Sequence, residues 1–279
     1  MKGVALGRKK RKGRWLGVVA LLLLVRGLPY LMPLRARDWR RASPSLTFTD
    51  RHGAFLGTVL VGGEEAIDVP LTQVSPWLVQ ALLAAEDRRF DGGAIDGWAL
   101  GRALWDSVRA GRVVGGASTL SQQLVRLRYR TPRTVWGKLT TIWLAWRVQA
   151  GSTREEILTA YLNHVPMGGN VYGVEAAARH YLGMSAAQLN LARASLLAAL
   201  PNAPTHLHPR WNWDGLKQRQ SYVLARMVAK GDIDGHMAAR ARQEDVTLAP
   251  VAPEGAIARH WLERLARAPS PRLHQIGRA

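Results

Sequence analysis

Glu86 and Asp87 close the stretch PWLVQALLAAED, residues 76–87. Trp77, Leu78, Val79, Ala81, Leu82, Leu83, Ala84 and Ala85 leave almost no polar face on the helix this stretch predicts. A helix that is apolar all round is a buried one. A carboxyl at its exit is then partly desolvated, a setting that suits proton transfer. The plain alternative is a helix-end acid that faces water or pairs with Arg88 or Arg89. This stretch alone leaves both readings open.

A second polar group follows in GGASTLSQQLVRL, residues 115–127. Two glycines precede Ser118 and Thr119, which open a helix. Backbone amides at a helix start, beside hydroxyls, attract anions. Gln122, Gln123 and Arg126 lie on the next turns, with Gln122 and Arg126 four apart on one face. The set suits phosphate or sugar hydroxyls. It lacks the spacing of a P-loop, and an ordinary capped helix would look much the same. In RTVWGKLTTIWLAWRVQAG, residues 133–151, Lys138 and Thr141 are three apart on one face. Trp136, Trp143 and Trp146 add apolar bulk for a core or a membrane. In EEILTAYLNHVPMGGNVYGVEAAARHYLG, residues 155–183, Tyr161 and Asn163 read as architecture. The eight histidines are scattered with no HExxH, so histidine-ligated metal is not expected. Basic residues spread over many segments without a nucleic-acid module, so nucleic acid is not an expected partner.

The elements that must hold these groups are mostly helices. Ser75-Pro76 reads as an N-cap followed by proline at the first helical position. Asp96 can cap a helix to Arg109, Ser118 or Thr119 one to Tyr129, and Thr134 one to Gln149, ended by Gly151. Ser152 with Glu155, and Ser185 with Gln188, have capping-box spacing. Asp214 can cap a helix ending near Gly231. Residues 43–72 alternate β-branched and aromatic residues with polar ones, and predict a hairpin or a three-stranded element. The expected fold is mainly α with a small N-terminal β element, one domain over residues 43–265, and a frayed tail over 266–279.

The 279 residues carry 39 Lys and Arg against 20 Asp and Glu, a formal net charge of +19. That balance calls for an anionic partner. The one dense basic run is RKKRKGR, residues 8–14, directly before WLGVVALLLLV, residues 15–25. Continued to Leu34, the apolar run reaches about the 20 residues that cross a bilayer. Arg26 can snorkel to one interface. The expectation is a cytoplasmic basic tail (1–14), an uncleaved signal anchor (15–34) and an exported remainder. There are no cysteines, so disulfides and Cys-ligated metal are excluded.

Taken together, EDRRF, GGASTLSQQL, GKLTTIWLAW and EEILTAYLN…GG…YGVEAAARHYLG resemble the peptidoglycan glycosyltransferase domain, glycosyltransferase family 51. This is the polymerase module of class A penicillin-binding proteins and of monofunctional transglycosylases. SLLAALPNAPTHLHP is similar to the family's closing motif. The resemblance covers about residues 43–245, with the motifs in the family's order, and leaves no length for a transpeptidase domain within this sequence. It implies a lysozyme-like helical fold with a membrane-embedded jaw, in the bacterial inner membrane, single-pass, with the catalytic domain on the periplasmic side. It implies lipid II and the growing glycan strand as substrates, an anionic membrane surface, and other cell-wall synthesis proteins as partners. Glu86 falls on the family's motif-1 glutamate, the general base. Asp87, Ser118, Thr119, Gln122, Gln123, Arg126, Lys138 and Thr141 fall on positions that line the substrate site. The only cofactor implied is a divalent cation, Mg2+ or Mn2+.

The departures are specific. Gly93 stands near the place of the motif-1 histidine, and FDGGAID is one residue shorter than usual. Thr141 stands where the family has a second glutamate, and Gly137 where it has an arginine. Gln149 and Arg193 replace two further acids. Three outcomes follow from such a sequence: an active transferase, a catalytically degenerate relative that binds lipid II or serves as a scaffold, or a lysozyme-like glycan hydrolase built on a single key glutamate.

Overall fold

The computed structural model describes residues 27–39, 45–49, 55–59, 64–87, 90, 109 and 119–250. The basic tail, most of the apolar run, Ser118, Gly93, the segment capped by Asp96 and the C-terminal tail lie outside these residues. The described part is mainly helical, as the patterning predicts.

Strands β1 (Leu46–Thr49) and β2 (Phe55–Val59) form an antiparallel hairpin, with Leu46 opposite Val59. Strand β3 (Glu65–Ala66) does not extend this ladder. It runs parallel to β4 (Val171–Tyr172), and the Glu65 N–H donates to the Asn170 carbonyl. The loop after residue 164 supplies the pairing edge. Among the described residues, the 43–72 region is therefore a hairpin plus a strand whose partner, Val171 for Glu65, lies 106 positions on, not one three-stranded unit.

Helix α1 (Pro76–Glu86) starts with proline at N1. Its cap differs from expectation: the Ser75 hydroxyl makes no capping bond and donates instead to the Leu189 carbonyl at 2.7 Å. The helix start is thus moored to the loop before α6. Leu78, Ala81, Leu82 and Ala84 are fully buried against α6 (Leu191–Leu197) and α7 (Trp213–Lys230). Burial of this kind contributes roughly 1.5–3 kcal/mol per large side chain. At the other end the Arg226 guanidinium of α7 donates to the Ala84 carbonyl at 2.9 Å, occupying one of the free acceptors of the last turn.

Helix α2 (Leu120–Tyr129) is capped by Thr119, whose hydroxyl accepts from the Gln122 N–H, and it ends at Arg130 in the left-handed region, φ 46°. Helix α3 (Val135–Gly151) is capped by Thr134, which accepts from the Gly137 N–H at 3.1 Å. The turn between them folds back so tightly that a Cβ at Gly137 would lie 2.0 Å from the Pro132 carbonyl oxygen. Helix α4 (Arg154–His164) carries its capping box one residue later than predicted, on Thr153 and Glu156. Ser152 is held elsewhere: its hydroxyl accepts from the Ala36 N–H and donates to the Leu34 carbonyl. Helix α5 (Val174–Leu182) ends at Gly183, and Ser185 with Gln188 forms the predicted capping box. Helix α7 is capped by Asn212, not Asp214, which sits in its first turn where an acid favours the dipole. Helix α8 (Gly235–Gln243) is capped by Asp234.

Two cores result. The larger joins α1, α4, α5, α6, α7 and α8 around Leu78, Leu82, Tyr161, Tyr181 and Leu224. The smaller joins α2, α3 and α4 to the N-terminal segment through Trp39, Val125, Ala145, Val148 and Ile157. Among the described residues no helix is long and apolar enough to cross a membrane. The segment after residue 31 is strapped to the end of α3: the Leu34 N–H donates to the Arg147 carbonyl and Arg147 donates to the Met32 carbonyl.

Candidate active site

The exit of α1 meets the start of α2 where the two cores adjoin. Asp87, 9 % exposed, accepts a hydrogen bond from the Leu120 N–H at 3.0 Å, so it closes the first turn of α2 from outside that helix. This contact brings Glu86 against Gln123. The Gln123 side-chain amide donates to Glu86 Oε2 at 2.9 Å. Glu86 Oε1 is buried and has no hydrogen-bond partner among the described residues. An unpartnered buried carboxylate oxygen costs the fold stability and has its lone pairs unused.

The neighbouring glutamine turns to the opposite partner. Lys138 on α3 donates to Gln122 Oε1 at 3.0 Å. Burial lowers the Lys138 amine from its ordinary value, and the nearby Arg126 charge lowers it further. Arg126 itself is exposed at the surface. A two-residue strip of amides thus links an acid on α1 to a cationic pair on α2 and α3. The arrangement can take a proton at one end and stabilise negative charge at the other.

Most of the expected site residues come together here: Glu86, Asp87, Thr119, Gln122, Gln123, Arg126 and Lys138. Thr119 acts in the structure as the α2 cap. Thr141 is different. It is 1 % exposed, donates to the Gly137 carbonyl at 2.7 Å and meets the Thr131 hydroxyl at 2.8 Å. The structure therefore gives it a packing position and not an open hydrogen-bond donor. Of the two further replaced acids, Gln149 donates to Ser121 beneath α2, and Arg193 pairs with Glu244 at 3.0 Å. Asn163 is architectural, as expected, binding both the N–H and the carbonyl of Val69.

Sequence reasoning missed Tyr161. It is fully buried on α4, and its hydroxyl donates to Gln123 Oε1 at 3.1 Å. A polar tip on an otherwise buried aromatic was the available signal, since such groups find a partner. Burial, with the Glu86 charge adding, raises this phenol well above its ordinary value, so it stays a donor.

Among the described residues no three His, Asp or Glu side chains gather as metal ligands. Asp87 is engaged with a backbone amide and Glu86 with Gln123. No step below passes through a divalent cation.

A family model described as Transglycosylase matches residues 52–228. The chain is 33% identical over 254 residues to penicillin-binding protein 1C of Escherichia coli K12, covering 86% of this chain and 32% of that protein. It is 35% identical over 208 residues to penicillin-binding protein 1A of the same organism, covering 74% of this chain and 24% of the relative. To penicillin-binding protein 1A of Aquifex aeolicus it is 34% identical over 218 residues, covering 77% and 29%. The chain thus spans about a third or less of the length of these relatives.

Proposed function

The chain belongs to the transglycosylase family, and from that membership and the geometry around Glu86 we propose that it is a peptidoglycan glycosyltransferase that polymerises lipid II. Glu86 Oε1 takes the proton of the acceptor sugar's 4-hydroxyl. The freed oxygen attacks the donor's anomeric carbon. The bond from that carbon to the lipid pyrophosphate breaks, and the undecaprenyl pyrophosphate leaves with its electron pair. Lys138, Arg126 and the Thr119 hydroxyl stabilise the departing charge. The observation that carries this reading is the buried, unpartnered Oε1 of Glu86, one amide strip away from Lys138.

The surroundings support a membrane-bound substrate. Trp136 is 78% exposed at the start of α3, beside exposed Val135 and Leu139, and Tyr30, Leu31 and Met32 are exposed at the other end of that helix. Aromatic and aliphatic side chains standing out beside basic ones suit a bilayer interface. With the basic run and apolar stretch of residues 8–25, the reading is of a single-pass inner-membrane protein acting on the periplasmic side, with its catalytic domain over residues 43–265.

The test is incubation of detergent-solubilised protein with labelled lipid II, with Glu86→Gln alongside. Glycan chains made by the parent and not by the variant are expected. Saturable lipid II binding without any chains would overturn the activity and leave a recognition protein.

A further inference from the structure

Two tyrosines in the main core are fully buried, and the contrast between them is informative. The Tyr181 hydroxyl goes to backbone, bridging the Met167 and Gly168 carbonyls at 3.2 Å each. That is a phenol satisfied by architecture. The Tyr161 hydroxyl goes instead to a side chain, Gln123 Oε1, whose amide nitrogen bonds Glu86.

A phenol has one hydrogen to give. Given to Oε1 of Gln123, it fixes which end of the carboxamide is oxygen, so the nitrogen must face Glu86. The flipped amide would set its carbonyl oxygen against the Glu86 carboxylate, which is repulsive in a buried setting, and would leave the phenol hydrogen without its acceptor. The amide donor in turn occupies Oε2 of Glu86 and leaves Oε1 without a partner. We propose that Tyr161 is a positioning residue: through the Gln123 amide it ties up Oε2 of the Glu86 carboxylate and leaves Oε1 as the oxygen that takes the acceptor's proton. This rests on the reading of Glu86 as the base. Tyr161 touches neither substrate nor the reacting atoms, and acts through Gln123.

Tyr161→Phe removes one oxygen and keeps the core volume. We expect kcat for lipid II polymerisation to fall about tenfold, with KM within about twofold, the pattern of a lost transition-state interaction. In a Gln123→Ala background the same change has no further effect on kcat, since the link is already cut. Tyr181→Phe, an identical change on the architectural phenol, lowers the melting temperature and leaves kcat at the parental level. Unchanged kcat in Tyr161→Phe, or an equal loss in both backgrounds, overturns the proposal.

A second readout needs no turnover. Side-chain nitrogen-15 labelling should show the Gln123 amide protons protected from exchange in the parent and exposed in Tyr161→Phe. An unchanged Gln123 signal in that variant overturns the relay whatever the parent's activity. Absence of glycan synthesis in the parent instead counts against Glu86 as base. If Tyr161→Phe does not fold, the parent decides alone: rapid exchange of its Gln123 amide protons overturns the relay.

Discussion

The carboxylate of Asp87 accepts the Leu120 backbone N–H at 3.0 Å. The residue after the proposed base thereby closes the first turn of the helix that carries Thr119, Gln122 and Gln123. Acid and amide strip are positioned by the same contact. Asp87→Ala removes a buried helix-start acceptor, and we expect a stability loss of about 1–2 kcal/mol together with weakened activity. Asp87→Asn, which can still accept, retains most of the stability. Urea unfolding of the two variants checks this; equal losses would mean that charge, not the hydrogen bond, holds the junction.

Glu86→Gln keeps the shape of the side chain and removes the base. Polymerisation should drop by about 10²–10⁴-fold, the range for a lost general base. Stability should hold or rise, because the buried and unpartnered Oε1 of an ionised carboxylate is replaced by a neutral group. Single-turnover assays and a melting curve measure the two halves. Activity equal to the parent's would remove Glu86 from the mechanism.

Lys138 is a strained cation, since burial and then Arg126 both lower its amine. The folded protein holds this proton less tightly than the unfolded chain. Between the lowered value and the ordinary 10.5, the unfolded chain binds more protons, so stability rises with pH across that window. Below the window the charged amine is a standing cost. Lys138→Met should therefore keep or raise the melting temperature at neutral pH while weakening lipid II binding about tenfold. In the parent, lipid II affinity should decline with rising pH earlier than an ordinary lysine would dictate. Affinity that survives the substitution would make Lys138 a surface cation only.

Gly137→Ala places a methyl 2.0 Å from the Pro132 carbonyl oxygen. The turn before α3 must then open, at about 2–3 kcal/mol for overpacking of this kind. Lys138, one residue on, should lose its contact with Gln122, so binding declines with stability. A stable variant with parental binding would show that the turn yields freely. The same contact explains why the arginine usual in the family cannot stand at this position with the present turn.

How far the sequence reached can be judged element by element. Pro76, Thr119, Thr134 and the Ser185–Gln188 pair announced their helices, because a cap acts on the next three residues and is written locally. The caps that slipped, Ser152 to Thr153 and Asp214 to Asn212, did so because neighbouring residues have the same chemistry and only packing selects one. Ser152 is claimed by Leu34 and Ala36, more than a hundred residues away. The all-round apolar α1 was legible for the same local reason, and with it the partly buried placement of Glu86. What the sequence did not contain was the direction of each polar side chain. Gln122 and Gln123 are adjacent and identical, yet one serves Lys138 and the other Glu86, since α3 lies on one side of the strip and α1 on the other. Tyr161 and Tyr181 are both buried tyrosines in apolar helices, and only the fold decides that one phenol meets backbone and the other meets the site. Residue types and spacing determined the family of chemistry here: a desolvated acid, amide and hydroxyl donors, a cation. The tertiary structure decided which partner completes each group, because hydrogen bonds and burial depend on contacts between segments far apart in the chain.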